Sequence, residues 1–357
     1  MIKITSKHFA FLIIAVTGIS VKTYSSIFVR MGGRDTWICA IIASIIIFLF
    51  WLFILFVSKR RKALKMEEVF TSAFSKPIGT FLIILFCIGL FLTSLESVVV
   101  EASSMHTNIF LESPIWYCMI FFLIPASYVA TRKLKTIVIL SLIVVSIIAI
   151  SNFILKLLVL QYKNFDYLFP ILFNGFSKDI YISIIMIVGS FSSIMIILPF
   201  LRYVIDLENL FKNSIFGTLF ILFFSCLVIF FIITSFGPLR AGNIFYPDFV
   251  QSQMVQVKGF IECGDLFFII RCIWKLSLKY ILSINAIYIL FQSKIKNKNI
   301  FVLVYSLIIF SLSLYLGSNQ FFLFTILGYL QLILLVLFFI IPLIAYIIFF
   351  FKTWKPK

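Results

Sequence analysis

Apolar runs of 17 or more residues recur from residue 8 to residue 351 of this chain. Each is long enough to cross a hydrocarbon layer of about 30 Å. The runs are continuous rather than alternating, so they read as helices, which close all their backbone hydrogen bonds internally. The composition agrees: 63% of residues are hydrophobic and 12% charged, where soluble chains carry about 25% charged residues. The expected class is an all-α integral membrane protein, multi-pass, with the lipid bilayer as its main surrounding.

Ten transmembrane helices are expected, at roughly 8–29, 37–57, 78–104, 115–131, 136–160, 180–201, 214–236, 264–291, 300–317 and 321–351. The first run follows Lys3 and Lys7 but is long and lacks a small-residue cleavage motif, so it reads as a membrane helix rather than a removed signal peptide. Nineteen of the 30 Lys and Arg fall in the two terminal segments and in alternate loops, six in the opposite loops and five within spans. That asymmetry places both termini in the cytoplasm. It also accounts for the net charge of +17 without a nucleic-acid partner.

Five spans carry the chain to the other side. If residues 8–160 and 180–351 are two five-helix repeats within one membrane domain, 1–357, the second is inverted relative to the first, a transporter architecture. A long outer loop, 237–263, would gate a cavity or dock a partner.

Transporters of this kind bind ligands where a helix is interrupted near the midplane. The first span contains VTGISVKTYSS (16–26) and the sixth VGSFSSIMIILP (188–199), at equivalent places in the two halves. Candidate ligand contacts are therefore Thr17, Gly18, Ile19 and Ser20 with Gly189, Ser190, Phe191 and Ser192, their backbone N–H groups offered to a carboxylate. The plainer alternative is that Gly and Ser let helices approach closely in lipid.

Arg271, Lys275 and Lys279 form one stripe on the eighth span. Lys275 and Lys279 lie about 15–20 Å into it, too deep to reach the interface easily. They should face a polar cavity or a counter-charge, and Glu96 and Glu101 on the third span are the acids well inside the membrane. Either Glu101 and Lys275 contact ligand, in a cavity bounded by the first, third, sixth and eighth spans, or the charges form a structural ion pair. Lys22 adds a cation beside the first interruption, and Trp274 is expected to serve packing. Six scattered cysteines, Cys263 among them, and the distant His8 and His106 offer no disulfide framework or metal spacing. No cofactor and no enzyme activity is expected.

Several segments in order, GRDTWICAII (33–42), FLESPIWY (110–117), NFDYLFPILFNG (164–175), LPFL (198–201), FGPLRAGNIFYPDFV (236–250) and GFIECGDLFFIIRCIWKLSLKY (259–280), resemble the spore germination permease family. These are the B subunits of GerA-type germinant receptors. The resemblance covers most of the chain. It implies the amino acid–polyamine–organocation transporter fold, a LeuT-like 5+5 inverted repeat with broken first and sixth helices. It further implies sensing of a small germinant, commonly an amino acid, in the spore inner membrane together with A and C receptor subunits. Gly18 matches a family glycine, and Lys275 with Ser277 a Lys-x-Ser pattern. The chain departs from the pattern at Lys22, at Lys279 and in having no acidic residue between Asp179 and Asp206, so ligand identity does not transfer. The competing functions are an amino-acid permease that turns over substrate and a purely structural assembly subunit.

Overall fold

The computed structural model describes residues 4–173, 175–256 and 264–352. Lys258 and Cys263 lie outside the described residues. The first expected span is divided into α1 (Ser6–Val16), α2 (Ile19–Thr23) and α3 (Ser26–Gly32). Then follow α4 (Thr36–Arg60), the short α5 (Met66–Ala73), α6 (Lys76–Asn108), α7 (Ile115–Thr131) and α8 (Leu134–Val159). The sixth segment is α9 (Lys178–Phe191) continued by a 3₁₀ helix over Ser192–Tyr203. After it come α10 (Leu207–Phe236), the short α11 (Pro238–Asn243) and α12 (Pro247–Gln253), and α13 (Asp265–Leu290). The chain closes with α14 (Lys298–Gly317), α15 (Gln320–Leu334), a π-helical stretch at Leu335–Ile340 and α16 (Ile341–Lys352).

Among the described residues seven helical stretches are long and apolar enough to cross a membrane, and α7 is shorter, at 17 residues. The helix α13 has the length, 26 residues, but carries the stripe of cations. Two of the intervals that read as loops hold helices. The segment MEEVFTSA forms α5 because Met66, Val69, Phe70 and Ala73 recur at helical spacing and turn inward. The described part of the 237–263 interval holds α11 and α12, each opened by a proline at its first turn.

The loops sort into two ends. Arg202 pairs with Glu67, Lys59 donates to Glu208 O at 3.2 Å, and Lys298 donates to Arg132 O at 2.7 Å. At the other end Arg30 bonds Gly242 O at 3.2 Å and Asp35 accepts from Leu172 N at 3.0 Å. The cation-rich loops thus gather together, as the charge asymmetry expects.

The sixth segment is the centre of the bundle. In its apolar window 94% of residues are buried, against 28–44% in the other six stretches, which turn broad faces to lipid. Around it α13 lies along α6, α1 against α10 and α8, and α4 between α9 and α10.

The first segment breaks because Thr17 is extended and Gly18 is left-handed, with φ +68° and ψ +19°. A side chain at Gly18 would be strained by that φ, and its Cβ would stand 2.5 Å from Ser225 Oγ. Backbone groups released by a break in lipid need partners. Here Thr17 Oγ1 donates to Ile13 O at 2.8 Å, and Ser193 Oγ donates to Val16 O at 3.2 Å. The sixth segment is interrupted differently: its backbone stays right-handed and tightens from α to 3₁₀ pitch at Ser192. Ser192 Oγ donates to Gly189 O at 2.5 Å and to Leu334 O at 3.3 Å, beside the π-helical stretch. Gly189 lies directly on the Gln331 carbonyl, where a Cβ would collide with main chain.

Gly189→Ala should therefore lower stability by about 1–3 kcal/mol, whereas Gly328→Ala, whose Cβ meets only ordinary contacts at 3.7 Å, should be neutral or better. Thermal unfolding of the purified variants in detergent checks this, and equal midpoints would contradict the close approach.

Candidate ligand site

The three cations of α13 meet three different surroundings. Near the start of α13 Arg271 Nη1 stands 2.9 Å from the Asp248 carboxylate on α12, with both side chains almost wholly buried. Its Nη1 also reaches Asn152 Oδ1 at 3.3 Å, and its Nε donates to Phe267 O at 2.9 Å. Two turns deeper, Lys279 donates to Glu96 Oε2 at 2.7 Å and to Ser20 Oγ at 3.1 Å. Glu96 accepts further from Ser20 Oγ at 2.5 Å and from Tyr24 OH, and Gln331 Nε2 donates to Tyr24 OH at 2.9 Å. This knot joins the first, third, eighth and tenth segments, and every member is buried.

Lys275, between them, has no hydrogen bond or ion pair among the described residues. It lines a cavity of about 60 Å³ together with Thr17, Ile19, Lys22, Asn152 and Lys156. A cavity of that size has room for several waters or a compact ligand. The Lys22 side chain, in a residue only 5% exposed, is likewise without a hydrogen bond or ion pair among the described residues. Lys156 donates to Gln251 Oε1 at 2.8 Å and lies 4.8 Å from the Phe231 ring centre. The rest of the lining is apolar, with Ile14, Ile148, Phe220 and Phe224 among it, and among the described residues no carboxylate belongs to it.

Local sequence explains this arrangement. On α8, Val145, Ile148, Ala149, Asn152 and Lys156 recur at helical spacing and share one face, apolar in the middle and polar toward the outer end. The left-handed Gly18 turns α2 away from α1, so Thr17, Ile19 and Lys22 all reach the same space.

The candidate residues separate into groups. Thr17, Ile19 and Lys275 line the cavity, and Gly18 is the joint behind it. Ser20 turns instead to Glu96 and Lys279. Gly189 and Ser192 contact the tenth segment, and Phe191 packs against Gly18. Ser190 Oγ is buried without a hydrogen-bond partner. Glu101 is 3% exposed, and its Oε2 has no hydrogen-bond partner. It sits within electrostatic reach of Cys118, Tyr246 and Cys272, apart from Lys275's cavity. The cavity is bounded by the first, fifth, seventh and eighth segments, not by the first, third, sixth and eighth. On the side of the third and sixth, the Glu96 knot and the Phe191 ring occupy the space. Asn152 and Lys156 are thus additions to the sequence reading, and their i, i+4 spacing on the fifth segment was the available signal. Among the described residues no cluster of three or more His, Cys, Asp or Glu could hold a metal ion. The chemistry on offer is charge recognition.

Removing one member of a buried ion pair leaves an uncompensated charge and costs about 3–5 kcal/mol. Lys279→Met should therefore destabilise the protein by an amount of that order, and Glu96→Gln on top of it should recover most of the loss. A double-mutant cycle read by thermal unfolding checks this, and additive single losses would contradict the coupling.

Comparison with known proteins places this geometry. Among solved structures, a Na⁺-coupled sialic acid symporter in its substrate-bound outward-open state is similar over 94% of this chain and 79% of that one, with TM-score 0.63 and 12% identity. That likeness shows the LeuT-like transporter fold. No curated protein sequence matches. The profile of the spore germination proteins, the spore permeases, matches residues 3–322. The chain belongs to the spore germination permease family, as its motifs and their order anticipated.

Proposed function

We propose that this protein is the ligand-sensing membrane subunit of a spore germination receptor, residing in the spore inner membrane with both termini in the cytoplasm. A small carboxylate-bearing germinant, for which an amino acid is the family expectation, binds beside the first break at Thr17, Gly18, Ile19 and Lys275. Residues 8–160 and 180–351 act as inverted halves that rock about the 3₁₀ segment, and A and C subunits read the motion. Gly189, Ser190, Phe191 and Ser192 serve as the packed wall against which Gly18 turns, while Glu101 waits on the third segment as a coupling group.

One observation carries this reading. Two buried lysines, Lys22 and Lys275, line a cavity at the broken helix, and among the described residues their side chains have no hydrogen bond or ion pair. A Lys in a membrane interior costs about 2.5–3.5 kcal/mol, and such residues are retained for function. An anion that neutralises them in one arrangement of the helices more than in another shifts the population between the two, which is the requirement for a signal.

The lysines and Arg271 should then differ in sign. Lys275→Met removes an unpaired charge, so it should raise stability, on the order of 1–3 kcal/mol given that insertion cost, while abolishing the germination response of spores. Arg271→Met strands Asp248 and should lower stability. A normal response in Lys275→Met spores, at normal protein level, would overturn the site.

The second reading, an amino-acid permease, is favoured by the fold's likeness to a coupled symporter. Uptake into proteoliposomes separates the two. The receptor reading expects binding without steady accumulation, and sustained uptake by the protein alone would replace it with transport.

A further inference from the structure

The charge of the cavity defines its ligand more narrowly than a carboxylate-bearing molecule. Resting on the site assigned above, we infer that the cavity selects a compact organic anion with an apolar body and no ammonium of its own, so that a free carboxylate is preferred over the amino acid of the same skeleton. The lining holds three lysines, Lys22, Lys156 and Lys275, and among the described residues no Asp or Glu. The nearest carboxylates are engaged elsewhere: Asp248 with Arg271 at 2.9 Å, and Glu96 with Lys279 at 2.7 Å. The neutral polar groups are also largely committed. Thr17 Oγ1 donates to Ile13 O, Asn152 Oδ1 accepts from Arg271, and Gln251 Oε1 accepts from Lys156.

A zwitterion would bring its carboxylate to Lys22 and Lys275, but its ammonium would enter a space lined by three lysines, where Asp248, the carboxylate within electrostatic reach of them, is already paired with Arg271. Two unit charges 4 Å apart interact far more strongly in a partly dry site than in water. The amino group is therefore the feature the site rejects. The apolar wall of Ile14, Ile148, Phe220 and Phe224 suits a short branched hydrocarbon body beside the carboxylate. Specificity of this kind is set by the unpaired charge a wrong ligand would bring as much as by the contacts a right one makes.

Three probes of one skeleton test this: 4-methylpentanoate, leucine and 3-methylbutylamine, titrated against the purified full-length protein in detergent and followed by thermal shift and calorimetry. The carboxylate should bind at least tenfold tighter than leucine, and the amine should not bind. Lys22→Met and Lys275→Met should each weaken the carboxylate by tenfold or more. Because a variant can fail on folding grounds, acetylation of the wild-type lysines is read by mass spectrometry in parallel. 4-Methylpentanoate should slow labelling of Lys22 and Lys275, and 3-methylbutylamine should not. Leucine binding as tightly as the carboxylate, with both lost in Lys275→Met, would overturn the preference while keeping the site. No binding by any probe, or binding that neither protects nor depends on the two lysines, would overturn both the preference and the site.

Discussion

Glu96 sits where four segments of the chain cross, and its carboxylate takes three donors from two of them. Ser20 and Tyr24 reach it from the first segment and Lys279 from the eighth, while Gln331 on the tenth holds Tyr24 in place. In lipid there is no general hydrophobic force between helices, and packing and polar contacts decide which helices meet. An ion pair fully supplied with hydrogen bonds is the strongest such instruction available, because every competing arrangement would leave a bare charge in an apolar layer. The broken first segment can keep its irregular backbone because this knot pins α2 from one side. The hydroxyls of Thr17 and Ser193 meanwhile satisfy carbonyls at the end of α1.

Against that background the cavity on the opposite side of α2 is informative. Arg271, Lys275 and Lys279 are four residues apart on one helix, and the first and last pair with buried carboxylates while the middle one has no ion pair among the described residues. The chain supplies counter-charges where it needs rigidity and withholds them where Lys22 and Lys275 face space. A site built in this way gains stability only when something else brings the negative charge.

Much of this was legible in the residues. The helix boundaries follow from the apolar runs, the first break from a glycine among hydroxyl and β-branched residues, and the gathering of the cationic loops from the Lys and Arg asymmetry. The depth of Lys275 and Lys279 announced that each needed a partner or a cavity. Which carboxylate serves which lysine was not legible. Glu96 and Glu101 are about 140° apart on α6, and only the packing of α6 on α13 decides which face turns inward. The form that the sixth segment's interruption takes was not legible for a related reason. VGSFSS suits an unwound strand or a tight helix, and the choice rests on carbonyls of other segments that accept from its serines, Val16 and Leu334 among them. Lys156 and Asn152 carried a readable spacing, but nothing local said that their face meets the first segment.

The long 3₁₀ stretch at Ser192–Tyr203 works as a reserve of length. At about 2.0 Å per residue instead of 1.5 Å, its twelve residues span about 24 Å where an α-helix would span about 18 Å. Its far end is tied to the beginning of the chain, since Tyr203 O accepts from Ile4 N at 2.9 Å and Val204 bridges Ile4. A single change of winding in the most deeply enclosed part of the protein would therefore haul the root of α1 by up to about 6 Å, converting a twist at the middle of the bilayer into a stroke at its surface.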